Sequence, residues 1–197
     1  MKKLFIIALT SCSLFLLTDC KKKKTEEPAD PCANTVCLNG GTCVDGSCSC
    51  PTGYSGADCG TQRTPTKVTI TGIKVTKHPA LDGGGSTWDP ITNTNPDIFV
   101  KIKQGAIDLV TTSTTNNAVY TNPYVLSGFT NVNVTDLVTQ LNIELWDEDT
   151  PSIGDAHDTM GNINFSIYDS NNHFPTTLTV DNGSGTLTFE LTLSYTY

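Results

Sequence analysis

The sequence predicts a mainly β chain in two parts: a small disulfide-rich module, then an eight-stranded antiparallel β-sandwich. Three observations carry this. Six of the eight cysteines crowd between Cys32 and Cys59. Beyond Thr64 there is no cysteine, and apolar residues alternate with polar ones in short runs divided by Gly, Asn and Pro, the pattern of half-buried strands and turns. No helical period of useful length occurs, and the chain is rich in Thr, Asn, Gly and Ser, a composition that suits an exported β protein.

Taken in order, residues 1–20 read as a targeting segment. Lys2 and Lys3 precede an apolar stretch from Leu4 to Leu17, a length that fits a secretory signal and is too short to span a bilayer. The segment resembles a bacterial lipoprotein signal, which implies a lipidated cysteine as the first residue after cleavage. Two cysteines compete. Cys12 in "LTSC" has the better small residue before it; Cys20 in "LTDC" has the proper core length. Cysteine parity favours Cys20, because processing there leaves an even set of six, whereas cleavage at Cys12 leaves an odd thiol in an oxidising compartment. Residues 21–30, basic and then acidic, read as a solvated tether. A Cys followed by Lys and acids resembles surface lipoproteins of the Bacteroidetes type, which implies a bacterial outer-membrane lipoprotein at the cell surface.

Residues 31–60 form the stapled module, with the spacing C-x4-C-x5-C-x4-C-x-C-x8-C. So short a segment cannot bury an adequate core, and covalent links must stand in for one. Six cysteines allow fifteen pairings, and spacing alone does not choose. The stretch "GGTCVDGSCSCPTGYSGADC" resembles an EGF-like domain of the compact kind repeated in tenascins. That resemblance implies Cys32–Cys43, Cys37–Cys48 and Cys50–Cys59, with Gly53, Tyr54 and Gly56 in the family's final turn. Calcium-binding members place acids and amides before the first cysteine; here only Asp30 stands there, so no calcium is expected in this module. Its expected role is a rigid spacer. A short linker, residues 61–66, follows.

Residues 67–197 should form the sandwich. Strand-like runs recur at Lys67–Lys77, Asp97–Lys103, Ala106–Thr115, Tyr124–Asn133, Leu141–Trp146, Gly161–Tyr168, Thr176–Val180 and Gly185–Tyr195. Four stretches, in order, carry a second resemblance: "PDIFVKIK", "NPYVLSGFT", "LNIELWDEDT" and "HDTMGNINFSI". They resemble the corresponding strands of C2 domains, whose eight-stranded sandwich gathers carboxylates from two loops at one end to hold calcium. The resemblance implies Asp97, Asp147 and Asp149 as ligands, with Asp155 and Asp158 each at an offset the family uses. The remaining ligand falls six residues before Asp97, where this chain has Ile91; Asp89 is chosen, with a two-residue insertion.

The chemistry asks for such residues. Calcium takes six to eight oxygens, many from carboxylates, and two acids one residue apart at a strand end share a face by the period of two. Isolated Asp residues more often just favour turns and solubility. From Thr64 onward there are fourteen acids against five lysines, which argues against nucleic acid. No Ser–His–Asp or Cys–His pattern can be assembled from His78, His157 and His173, and Gly-rich "LDGGGSTW" lacks the Lys and following helix of a phosphate loop. The sequence thus predicts no enzyme. It predicts a lipid-anchored binding protein that uses calcium and recognises polysaccharide, phospholipid or protein. The alternative is a metal-independent adhesin.

Overall fold

The computed structural model describes residues 28–89, 95–149 and 157–197. All regular structure among them is β. The lipidation site expected at Cys20 and the candidate ligand Asp155 lie outside the described residues.

Two hairpins make the small module. Strand β1 (Thr42–Val44) pairs antiparallel with β2 (Ser47–Ser49), and the two residues between them, Asp45 and Gly46, both have positive φ (48° and 81°). That is the turn whose twist matches the flanking strands, and Asp-Gly is among its preferred sequences. Strand β3 (Tyr54–Ser55) pairs with β4 (Thr61–Gln62). Disulfides join Cys32 to Cys43, Cys37 to Cys48 and Cys50 to Cys59. Of residues 31–59, only Gly53 and Cys59 are buried, so the covalent links carry the module's stability. The stretch read as linker begins as β4 and is therefore ordered from its first residues.

Nine further strands follow: β5 (Lys67–Lys77), β6 (Ile98–Gln104), β7 (Ile107–Thr111), β8 (Tyr124–Val125), β9 (Val132–Val134), β10 (Leu141–Asp147), β11 (Asp158–Phe165), β12 (Thr177–Asp181) and β13 (Thr188–Thr196). One sheet runs β11-β10-β6-β7; the other runs β12-β13-β5-β8, with β9 also on β5. All pairings are antiparallel. Residues of both sheets, among them Ile70, Ile73, Ile102, Ile143, Leu145, Phe189 and Leu191, form one core. The run Tyr124–Asn133, read as one strand, is two short ones. Gly128 adopts φ 69° between them, and Ser127 leaves β5 to accept a hydrogen bond from the Ser113 N–H.

Strand direction fixes two ends. Lys67 pairs with Thr196 at one end of β5, and Lys77 pairs with Thr188 at the other. The loop after Lys77 leads to Asp89, and β10 finishes at the same end with Asp147 opposite Ile98.

Candidate metal centre

The phase of β10 explains the acidic site. Leu141, Ile143, Leu145 and Asp147 are buried, while Asn142, Glu144 and Trp146 between them are partly exposed. Asp147 therefore occupies the fourth inward position of a core-facing series, at the rim where the two sheets end. It is 0% exposed, and Asp149, two residues on, is 7% exposed. One β-bulge contributes: the β10–β11 register shifts between Leu145 and Trp146, which strengthens the local twist just before Asp147.

Three carboxylates converge here. Asp89, Asp147 and Asp149 each place an oxygen within 4.8 Å of the others. Asp147 Oδ1 accepts the Asp97 N–H at 2.8 Å, while Asp147 Oδ2 is buried with no hydrogen-bond partner among the described residues. A buried anion in that position is costly unless a cation or a proton joins it. Accordingly, burial pushes the Asp147 carboxyl up to about 7; the Asp97 N–H opposes this, and the carboxylates of Asp89, Asp149 and Asp97 add to it.

The structure brings together three of the six acids singled out in the sequence. Asp97 is close by but plays a bracing part. Its N–H holds Asp147, its carbonyl accepts the Glu148 N–H at 2.7 Å, and its carboxylate accepts the Asn117 N–H at 2.7 Å. Asp158 lies across the ladder from Asp147 and is exposed, outside the three-carboxylate group.

Sequence reading missed the supports. The Asp149 N–H donates to His157 Nδ1 at 3.1 Å, and the His157 ring packs edge-on against Phe99 at 5.5 Å. Phe99 stacks on Trp146 at 6.3 Å, and the Lys101 ammonium lies 4.7 Å from the Trp146 ring centre. On the first loop, Trp88 is 7% exposed and donates from Nε1 to the Pro79 carbonyl at 3.0 Å. His78 Nδ1 bonds the same carbonyl, and burial lowers the His78 pKa. The ring contacts of Phe99, Trp146, His157 and Lys101 join residues distant in the chain and have no local sequence signal.

All three clustered donors are carboxylate oxygens, the set preferred by hard cations and not by zinc or copper. The residues fit calcium: hard donors at a strand end and on the two flanking loops, and a buried oxygen without a hydrogen-bond partner among the described residues.

Comparison with known proteins identifies the first part. Residues 31–59 match the family model of the EGF-like domain. The chain is also similar to the hepatocyte growth factor activator serine protease of Mus musculus, 54% identical over 46 residues, and to that of Homo sapiens, 31% identical over 85 residues. The matches cover 19% and 40% of this chain, and the chain spans only 7% and 10% of those proteins. Among solved structures, one described as a C2 domain is similar at a TM-score of 0.43 with 20% identity, covering 65% of this chain and 97% of that one. A C2 domain of a plant extended synaptotagmin gives a TM-score of 0.43 with 17% identity, covering 68% and 97%.

Proposed function

We propose that the chain is a cell-surface binding protein whose sandwich holds calcium at its acidic tip and engages its partner there. The buried Oδ2 of Asp147, without a hydrogen-bond partner among the described residues, with Asp89 and Asp149 within 4.8 Å, carries this reading. Asp89, Asp147 and Asp149 would hold the ion, and backbone carbonyls and partner oxygens would complete a shell of six to eight. The bound cation supplies the positive charge that this acidic domain lacks, so an anionic group of a phospholipid, polysaccharide or protein can approach. Support for anchoring comes from the N-terminal sequence alone, with Cys20 as the lipidated residue and the bacterial outer membrane as the location. The role is binding rather than catalysis.

A second reading has its own observation. With its pKa near 7, Asp147 can carry a proton instead of sharing an ion, which allows a metal-free adhesin. Calcium titration decides between them. Binding only to the folded state stabilises it by about 2.7 kcal/mol at a hundredfold excess over Kd. Millimolar calcium should raise the melting temperature of the sandwich, and magnesium should raise it much less because it demands a tight octahedral site. Asp147→Asn with Asp149→Asn should remove the shift. An unchanged melting curve, with no ion found by elemental analysis, leaves the metal-free reading standing.

A further inference from the structure

We propose that the EGF-like module is latched to the sandwich by an aromatic box, so that the two parts form one rigid body with the acidic tip directed away from the module. This goes beyond the calcium reading and does not rest on it.

The box closes the end of the sandwich opposite the acids. Phe174 is its centre, with ring centroids 6.4 Å from Tyr168, 5.4 Å from Tyr195 and 5.2 Å from Tyr197. His173 and Phe174 both adopt left-handed backbone (φ 47° and 54°), a conformation disfavoured for such side chains. Tyr195 Oη donates to the Pro175 carbonyl at 2.8 Å and ties that turn to β13.

The module enters this box through the turn at Gly53 and Tyr54. The Tyr54 ring meets Phe174 edge-on at 5.5 Å, a favoured aromatic geometry, and its hydroxyl lies 3.4 Å from His173 Nδ1. Gly53 is buried at φ 92°, and a Cβ there would fall 2.6 Å from Tyr197 Oη and 2.7 Å from Phe174 Cε2. Only glycine allows so close an approach in that conformation.

The connection adds further ties. Gln62 Nε2 donates to Tyr168 Oη at 3.2 Å, and the Arg63 N–H donates to the Gly53 carbonyl at 2.8 Å. The Arg63 guanidinium lies 5.6 Å from the Tyr197 ring centre, and the Thr66 N–H donates to the Thr196 carbonyl at 2.8 Å. A flexible spacer would leave its backbone to water; this one is bonded at both ends. Partial burial pushes the Tyr195 and Tyr197 hydroxyls up to about 12, in keeping with rings packed against one another. Strand β5 separates the two ends by eleven residues, roughly 35 Å at 3.3 Å per residue. The latched module therefore presents the tip to a partner on its far side.

Arg63 is the chain's only arginine and sits in the connection, so an arginine-specific protease gives a single-site assay on the full chain under non-reducing conditions. Cleavage there requires local opening. Wild-type protein should resist, and Tyr54→Ala from the module side and Tyr197→Ala from the sandwich side should each be cut at least tenfold faster. Tyr120→Ala, an exposed tyrosine outside the box, should match wild type. Wild-type cleavage at the rate of an unfolded peptide overturns the latch. Acceleration by Tyr54→Ala alone also overturns it, since that outcome reports only the module's own folding.

Discussion

The two ends of the sandwich are capped with opposite chemistry. At one end, β13 and the β11–β12 connection bring Tyr168, Phe174, Tyr195 and Tyr197 together, and the EGF-like module covers them. At the other, β10 carries its inward series one step too far for an apolar residue and places Asp147 where the core would end. Aromatic rings gain free energy from being covered. Carboxylates lose it, unless a cation or proton arrives. One end is thus covered by rings of the chain itself, and the other, among the described residues, holds a buried carboxylate oxygen of Asp147 that a cation or a proton would satisfy.

That contrast can be broken most forcefully with pH. Burial pushes the Asp147 carboxyl up to about 7 in the fold, against an ordinary value of 3.8. A raised acid contributes stability that is complete below its unfolded value and lost as pH climbs through the folded one. Metal-free protein should therefore be more stable at pH 5 than at pH 8. The difference is at most about 3 kcal/mol, since pH 5 lies roughly two units below the folded value at about 1.36 kcal/mol per unit. Asp147→Asn should flatten the dependence. Urea midpoints at the two pH values measure it, and equal midpoints would show that the acids are not electrostatically stressed.

Next in size is the calcium effect, which should grow from pH 5 to pH 8 as the proton stops competing. It should also be local. Hydrogen exchange should slow at the amides of Asp97, Glu148 and Asp149, which already bond within the tip, and stay constant at Thr66 and Leu193. Protection spread evenly over both ends would contradict the division between them.

At the aromatic end, Phe174→Ala should cost about 1.5 kcal/mol, from three lost edge contacts of a partly exposed ring at roughly 0.5 kcal/mol each. Calcium affinity should remain at the wild-type value, since the two ends share no side chain. Smallest of all should be Lys74→Ala, midway along β5. Its ion pair with Glu190 at 2.8 Å is more than a third exposed on both sides, and such pairs contribute about 0–1 kcal/mol. Thermal unfolding of the two variants side by side ranks them.

Legibility followed periodicity. The alternation in "LNIELWD" marked the strand, its inward face and the shared side of Asp147 and Asp149, because a period of two is a local property. Cysteine spacing pointed to a stapled module, and its resemblance to a family implied the three bonds found in the structure. Asp89 was chosen by assuming an insertion, and it does meet Asp147. The motifs do not encode that the Asp97 carboxylate accepts the Asn117 N–H or that Asp158 is exposed, because both depend on how distant segments pack. The aromatic box was illegible for a different reason. Tyr54 and Phe174 are 120 positions apart, and left-handed φ at His173 and Phe174 is not announced by residue type as it would be by glycine.

The placement of the tryptophans has an optical consequence. Both of the chain's tryptophans immediately precede a clustered acid, Trp88 before Asp89 and Trp146 before Asp147, whereas four of the six tyrosines sit in or against the aromatic box. Excitation at the red edge, absorbed by indole alone, therefore reads out one pole, while phenol absorbance reads mainly the other. The protein carries two spectrally distinct reporters, separated by the length of a strand, and needs no attached dye to show which end has responded.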